Sequence, residues 1–321
     1  MQDGFGRNID YLRVSVTDKC NLRCVYCMPP DGVKQVRHSD MLRFEEVLRV
    51  CSAAARLGVC GVKVTGGEPL VRRGLTGFIR ALKQSACLKN VTLTTNGLLL
   101  SGFLDELLEA GIDAVNVSLD TLNKDVFRAI TRSDGFEQVL YSIHAAQEAS
   151  ISLKINAVPM RGVNEADIVP LAELARQKNV HVRFIELMPL GLGARILPIP
   201  QAEVKAALTQ AFGTLEKFEG RLGNGPASYY SAAGFAGKIG FISALSHSFC
   251  GSCNRLRLTG TGLLKTCLSS DIGVDLKAVI RSGGSDAAID AAFRSAVMLK
   301  PAGHDFHTNQ HVKKNMYSIG G

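Results

Sequence analysis

The sequence predicts an α/β chain: a partial, open (β/α)6 barrel followed by a smaller C-terminal α+β domain. Three observations carry this. Strand-like runs alternate with helical patterns from residue 11 to residue 188, the signature of a parallel array. The strands are apolar on one face and polar on the other. After Met188 the alternation breaks into Pro- and Gly-rich chemistry, which sets the division at 1–190 and 191–321.

Six runs read as strands: Tyr11 to Thr17, Gly61 to Thr65, Val91 to Thr95, Ala114 to Ser118, Ser152 to Val158, and Val180 to Leu187. Between the first two, Val47, Leu48, Cys51, Ala54 and Ala55 recur at helical spacing over Phe44 to Leu57, and Gly58 stops the helix. Beyond the division, a helix is expected over Gln201 to Phe212, then a Gly-rich β stretch through Ile242.

Separating alternate strand residues gives two faces. Leu12, Val14 and Val16, Val62 and Val64, Val91 and Leu93, Val115 and Val117, and Leu153 and Ile155 form the apolar one, expected to pack on helices. The other carries Arg13, Ser15 and Thr17, Lys63 and Thr65, Thr92 and Thr94, Asn116 and Ser118, Lys154 and Asn156, and Arg183. A closed barrel fills its lumen with branched apolar side chains. Four inward-facing cations instead imply water or an anion among them, because an unpaired buried charge costs several kcal/mol. An open barrel around a polyanion satisfies both facts.

The formal charge of +8 agrees with an anionic ligand without choosing among nucleotide, nucleic acid and membrane. MQDGFGRNID at the start has no charged-then-apolar leader pattern, and no apolar run approaches the ~20 residues of a membrane helix. A cytoplasmic protein without a membrane partner is expected. Nine cysteines, an odd number, argue against a disulfide framework. Cys51, Cys60 and Cys87 read as small buried hydrophobes.

The other six form two sets. Cys20, Cys24 and Cys27 lie in TDKCNLRCVYCMPP, directly after the first strand. Three thiolates in one loop hold three irons of a four-iron cluster and leave the fourth open. Zinc would want a fourth protein ligand, for which His38 is the nearby histidine. Gly66-Gly67-Glu68-Pro69 follows the second strand, where glycines let backbone approach a ligand and a carboxylate accepts from an ammonium group. Cys250, Cys253 and Cys267 bracket Arg255 and Arg257 near the end. Spacing leaves a second cluster and a zinc site with His247 equally open there.

The cysteine loop, with Tyr26 before its third cysteine, resembles the signature of the radical S-adenosylmethionine superfamily. That resemblance implies a [4Fe-4S] cluster whose open iron binds S-adenosylmethionine, which is cleaved to a 5′-deoxyadenosyl radical. It also implies cosubstrate contacts from Tyr26, Gly66, Gly67, Glu68, Ser118 and Met188.

The string FCGSCNRLRLT narrows the likeness, because it resembles the second-cluster motif of the molybdenum-cofactor GTP 3′,8-cyclases. The match runs from Arg13 to the terminal Gly320-Gly321. It implies a second [4Fe-4S] cluster that binds guanine, and GTP contacts from Arg13, Lys63, Thr94, Lys154, Arg255, Leu256 and Arg257, with Arg183 in the same cationic set. Where that family commonly carries arginine, this chain has Lys63, turning a bidentate phosphate contact into a point contact.

The same likeness implies that Gly320 and Gly321 reach the active pocket. It further implies a reductant or electron-donor protein, a homodimer, and handover of product to the synthase that forms cyclic pyranopterin monophosphate. The alternatives are another two-cluster radical enzyme, such as one modifying RNA, and a non-catalytic zinc-binding interaction protein. Nucleic acid is not an expected partner, for the basic residues lie in strand lumens and beside cysteines, with no basic helix or aromatic platform.

Overall fold

Alternation of Leu12 and Val14 with Arg13 and Ser15 becomes the first strand, β1 (Tyr11–Ser15), with both apolar side chains fully buried. The structure is a computed structural model that describes residues 1–33, 36–84, 88–177, 180–304, 306 and 316. Cys87, Gly320 and Gly321 lie outside the described residues.

From β1 the chain runs through α1 (Phe44–Arg56), β2 (Gly61–Thr65), α2 (Leu75–Lys83), β3 (Asn90–Thr95), α3 (Leu100–Glu109) and β4 (Ala114–Ser118). It continues through α4 (Lys124–Thr131), α5 (Phe136–Glu148), β5 (Ser152–Ala157), α6 (Ile168–Glu173) and β6 (Val180–Ile185). All six strands pair in chain order and in parallel. Their apolar faces join the helices in one core. Cys51 lies in that core, where burial pushes its thiol up to about 12, while Cys60 is half-buried at the start of β2.

β2, β3 and β4 end where the sequence pattern ends, while β1, β5 and β6 stop one or two residues short of Thr17, Val158 and Leu187. Val158 N, expected to extend β5, is taken by Asp120 Oδ1 at 2.8 Å. Val16 keeps one ladder bond, to Thr65 O at 2.9 Å, before the chain turns into the cysteine loop.

The C-terminal segment contributes α7 (Gln201–Phe212), β7 (Glu216–Phe218), β8 (Ser228–Ser231), β9 (Ile239–Ile242), β10 (Arg255–Leu258), β11 (Leu263–Lys265), β12 (Gly273–Asp275), α8 (Leu276–Arg281) and α9 (Asp286–Met298). Its strands extend the barrel sheet from both edges. β9 adds in parallel to β6, and β10 adds in parallel to β1, giving the order β12-β11-β10-β1-β2-β3-β4-β5-β6-β9-β8-β7. α8 and α9 return to α1, where Arg281 Nε donates to Glu46 Oε1 at 2.9 Å. That hydrogen bond holds the Glu46 carboxyl down at about 2 against the opposing effect of burial.

Candidate functional site

Pairing of β1 with β10 and β2 aligns Arg257, Arg13 and Lys63 side by side across the sheet. Like charges in adjacent register repel. Further round the same face, Lys154 pairs with Asn116, and Arg183 with Asn156. These residues line one cavity of about 500 Å³, together with Thr65, Thr92, Thr94 and Ser118. Of the polar faces read from the sequence, only Ser15 and Thr17 fall outside it, buried where β1 ends.

The cations are strained electrostatically. Burial pushes the Lys63 ammonium well below its usual range, and Arg183, Arg13 and Lys154 push it the same way. Lys154 is pushed down to about 8 by burial and by Arg183. Arg183 is held by Asn156 Oδ1 at 2.6 Å and Asn116 Oδ1 at 2.7 Å. Among the described residues neither Lys63 nor Lys154 has a carboxylate within ion-pair distance. A polyanion would relieve both burial and mutual repulsion.

Two cysteine sets flank this lumen. Cys20, Cys24 and Cys27 follow the C-terminal end of β1, half-buried and opening on the cavity. Their loop is fixed by its backbone: Arg23 N donates to Thr131 O and Val25 N to Ile130 O, both at 2.9 Å, and Cys27 N and Met28 N both turn back to Cys24 O. Burial pushes the Cys20 and Cys24 thiols up.

Cys250 and Cys253 precede the N-terminal end of β10, and Cys267 follows β11, so the second set sits at the opposite end of the strands. All three line the cavity. At Cys253 burial is outweighed by Arg255 and Lys300, which bring the thiol down to about 7. Arg255 also lies over the Phe249 ring at 4.9 Å. His38 and His247, the histidines a zinc site would have used, are exposed and outside the lining. Each set thus brings three thiols to the wall of the one cavity, and three cysteine thiolates are a donor set that leaves one iron of a four-iron cluster without a protein ligand.

The Gly66-Gly67 turn presses on the first cysteine loop. Gly67 N donates to Thr17 O at 2.7 Å and Glu68 N to Lys19 O at 2.8 Å. A Cβ on Gly67 would stand 2.3 Å from Lys19 O, and one on Gly66 2.7 Å from Thr17 O. Gly66, Gly67, Tyr26, Ser118 and Met188 all line the cavity near the first set.

Two expected contacts are placed elsewhere. Glu68 is fully buried behind the wall, its carboxylate taken by Leu70 N, Thr95 Oγ1 and Asn96 N. It shapes the turn rather than facing the cavity. Leu256 is fully buried in the hydrophobic core, because strand alternation sends it away from its neighbours Arg255 and Arg257.

Sequence reasoning missed Asn96, Asp120, Glu186 and Lys300, all of which line the cavity. Extending the polar alternation past the strand ends finds two of them: Thr92, Thr94, Asn96 and Asn116, Ser118, Asp120. Lys300, distant in the chain, has no such signal.

Residues 14–175 match the Radical SAM superfamily profile, and residues 180–306 match the one described as Molybdenum Cofactor Synthesis C. The GTP 3′,8-cyclase of Heliobacterium modesticaldum is 47% identical over 308 residues, covering 95% of this chain and 94% of that protein. The GTP 3′,8-cyclase of Petrotoga mobilis is 42% identical over 326 residues, covering 100% of each. The chain belongs to the GTP 3′,8-cyclase family. In fold it is similar to SuiB of Streptococcus suis, solved bound to S-adenosylmethionine, at a TM-score of 0.62 and 14% identity over 90% of this chain and 68% of that one. This cyclase-family chain thus pairs a radical SAM barrel sheet with the family's C-terminal domain, and no helix among its described residues is long and apolar enough to cross a membrane.

Proposed function

We propose that the chain converts GTP to 3′,8-cyclo-7,8-dihydro-GTP, the first step of molybdenum-cofactor biosynthesis. The observation that carries this is the placement of a cationic lumen between two three-cysteine sets on one cavity. Cys20, Cys24 and Cys27 would hold one [4Fe-4S] cluster, and Cys250, Cys253 and Cys267 a second. When bound, the first cluster and S-adenosylmethionine supply the one-electron chemistry that removes a hydrogen atom from ribose C3′.

The protein's own part is binding and orientation. Arg13, Lys63, Lys154 and Arg183 receive the triphosphate, with Thr94 beside them, while Arg255 and Arg257 flank the second cluster and the guanine. Gly66 and Gly67 offer close backbone approach to S-adenosylmethionine, with Tyr26, Ser118 and Met188 around it. Clamping both ends of GTP sets C3′ against C8, so that the new bond forms within a preorganised pair. The hydrogen atom lost from C3′ is balanced by one electron and one proton delivered to the guanine ring. A reductant or donor protein supplies the electron, and the product passes to cyclic pyranopterin monophosphate synthase. A homodimer, and entry of the Gly320-Gly321 tail into the pocket, belong to the same reading.

The test is anaerobic incubation of reconstituted protein with S-adenosylmethionine, reductant and 3′-deuterated GTP, followed by mass spectrometry of the 5′-deoxyadenosine. Deuterium in that product is expected. Equal amounts of unlabelled 5′-deoxyadenosine with and without GTP would remove GTP as substrate.

A further inference from the structure

The first ten residues carry no catalytic motif, yet they bury an arginine. Arg7 is 7% exposed, and its Nε donates to Asp3 Oδ2 at 2.6 Å. Asp3 Oδ1 in turn accepts from Phe5 N at 2.9 Å and Arg7 N at 3.0 Å, so a tight turn fixes the direction of the guanidinium. The rest of the fork reaches the other end of the chain. Nη1 donates to Cys250 O and to Ala302 O, each at 2.9 Å, and Nη2 donates to Pro301 O at 2.6 Å. Cys250 O also accepts from Cys253 N at 3.2 Å, so Arg7 closes on the backbone of the C-x2-C turn itself.

Lys300 does the same for the rest of the second set. It is 3% exposed, and its Nζ donates to Arg255 O at 3.0 Å and Thr266 O at 2.8 Å. Thr266 adjoins Cys267, and Arg255 stands two residues after Cys253. Asp10 N and Tyr11 N add bonds to Asn254 O at 3.1 and 3.2 Å. Two buried cations from distant parts of the sequence therefore grip carbonyls beside all three cysteines of the second set.

Carbonyls satisfy the hydrogen-bonding capacity of an ammonium without cancelling its charge. Neither carbonyl that Lys300 binds carries a countercharge, and its electrostatic partner on this wall is Cys253. Charges and hydrogen bonds near the sulfurs are what tune a cluster's potential.

We infer that Arg7 and Lys300 are positioning residues for a cluster on Cys250, Cys253 and Cys267: Arg7 braces the Cys250 turn, and Lys300 braces the Arg255 and Thr266 carbonyls and sets a positive charge beside the thiolates. This rests on the second-cluster reading given above.

The test uses the full chain, reconstituted anaerobically, with iron and sulfide analysis, Mössbauer and EPR spectra, and redox titration. Wild type should hold about eight irons, and Cys250→Ala about four. Arg7→Met should fall toward about four, its remaining signal still shifting on addition of S-adenosylmethionine, and Arg7→Lys should recover part of the loss. Lys300→Met should move the second cluster's potential to more negative values.

Wild-type iron and spectra in Arg7→Met, or an unmoved potential in Lys300→Met, would overturn the assignment. Loss of both clusters from Arg7→Met and Arg7→Lys alike would also overturn it, by making the clasp a feature of the whole fold. If wild type holds only about four irons, or Cys250→Ala retains the wild-type count, the second-cluster reading itself fails and takes this inference with it.

Discussion

Tyr26 Oη donates to Asp120 Oδ2 at 2.8 Å, tying the first cysteine loop to the chain just beyond β4. Asp120 Oδ1 accepts from Val158 N at 2.8 Å, and its backbone carbonyl accepts from Asn164 Nδ2 at 2.7 Å. One acidic residue thus joins the cysteine loop to the ends of β4 and β5. Burial pushes its carboxyl up to about 6, opposed by the bonds from Val158 N and Tyr26.

Tyr26→Phe should therefore loosen the cysteine loop more than Asp120→Asn does. Phenylalanine removes the only atom of residue 26 that reaches the carboxylate, at ~1–2 kcal/mol, or roughly 5–30-fold in S-adenosylmethionine affinity. Asparagine keeps an acceptor for Val158 N, and the tyrosine hydroxyl can turn to accept from its amide. Equilibrium binding of S-adenosylmethionine to the two reconstituted variants checks the order, and equal affinities would contradict it.

Glu68 should give the protein a pH-dependent stability. Burial pushes its carboxyl up to about 7, against hydrogen bonds from Asn96 N, Leu70 N and Thr95 Oγ1. The folded state then holds the proton more tightly than the unfolded chain, whose ordinary value is 4.5. Stability contributed by the protonated form is full below about 4.5 and is lost as pH rises to about 7, at most ~3 kcal/mol in all. Glu68→Gln removes this slope and leaves Asn96 N facing an amide, a loss of ~1–3 kcal/mol that does not vary with pH. Anaerobic thermal unfolding of both proteins at several pH values is the measurement, and parallel profiles would disprove the assignment of the slope to Glu68.

Lys154, pushed down to about 8, should make GTP binding pH-dependent in the same sense. A triphosphate favours the protonated amine, so affinity should fall as pH rises through about 8. Lys154→Ala should weaken GTP binding by roughly 10–100-fold, corresponding to ~1.5–3 kcal/mol for a charge-assisted bond, with iron content unchanged. Lys154→Arg should bind with a flatter pH profile, since arginine stays charged throughout. Calorimetric titration of GTP at pH 7 and pH 9 distinguishes the three proteins, and unchanged affinity in Lys154→Ala would count against the lumen as the triphosphate site.

Much of this was legible because strand parity is a local property. Arg13, Lys63, Lys154 and Arg183 face one cavity as their alternation requires, and Gly61–Thr65 and Ala114–Ser118 are strands over the range read from the residues. The same parity, applied to Arg255-Leu256-Arg257, would have sent Leu256 to the core, where resemblance had placed it among contacts. What escaped was non-local. Nothing in GKIGFIS or NRLRLT says that β9 pairs with β6 and β10 with β1, since both partners lie far away in the chain. The bonds from Arg7 to Cys250 and from Lys300 to Thr266 depend on those pairings, so they too are visible only in the folded chain.

Gly67→Ala should damage the first cluster site although it removes no ligand. The added Cβ would lie 2.3 Å from Lys19 O, 2.7 Å from Lys19 C and 2.8 Å from Asp18 O. These are backbone atoms, so no side-chain rotation relieves the overlap, and the loop carrying Cys20 must move as a whole. The glycine turn itself is tied to that loop by Gly67 N to Thr17 O and Glu68 N to Lys19 O, which resist separation. Gly77 supplies the control: it lies exposed in α2, with nothing within 4 Å of an added Cβ. There alanine should stabilise the helix by ~0.5–1 kcal/mol. Iron analysis and the EPR change on adding S-adenosylmethionine should show Gly77→Ala like wild type and Gly67→Ala depleted at the first cluster. A Gly67→Ala protein with full iron and an unaltered response would mean that the two loops are not held together as tightly as their contacts require.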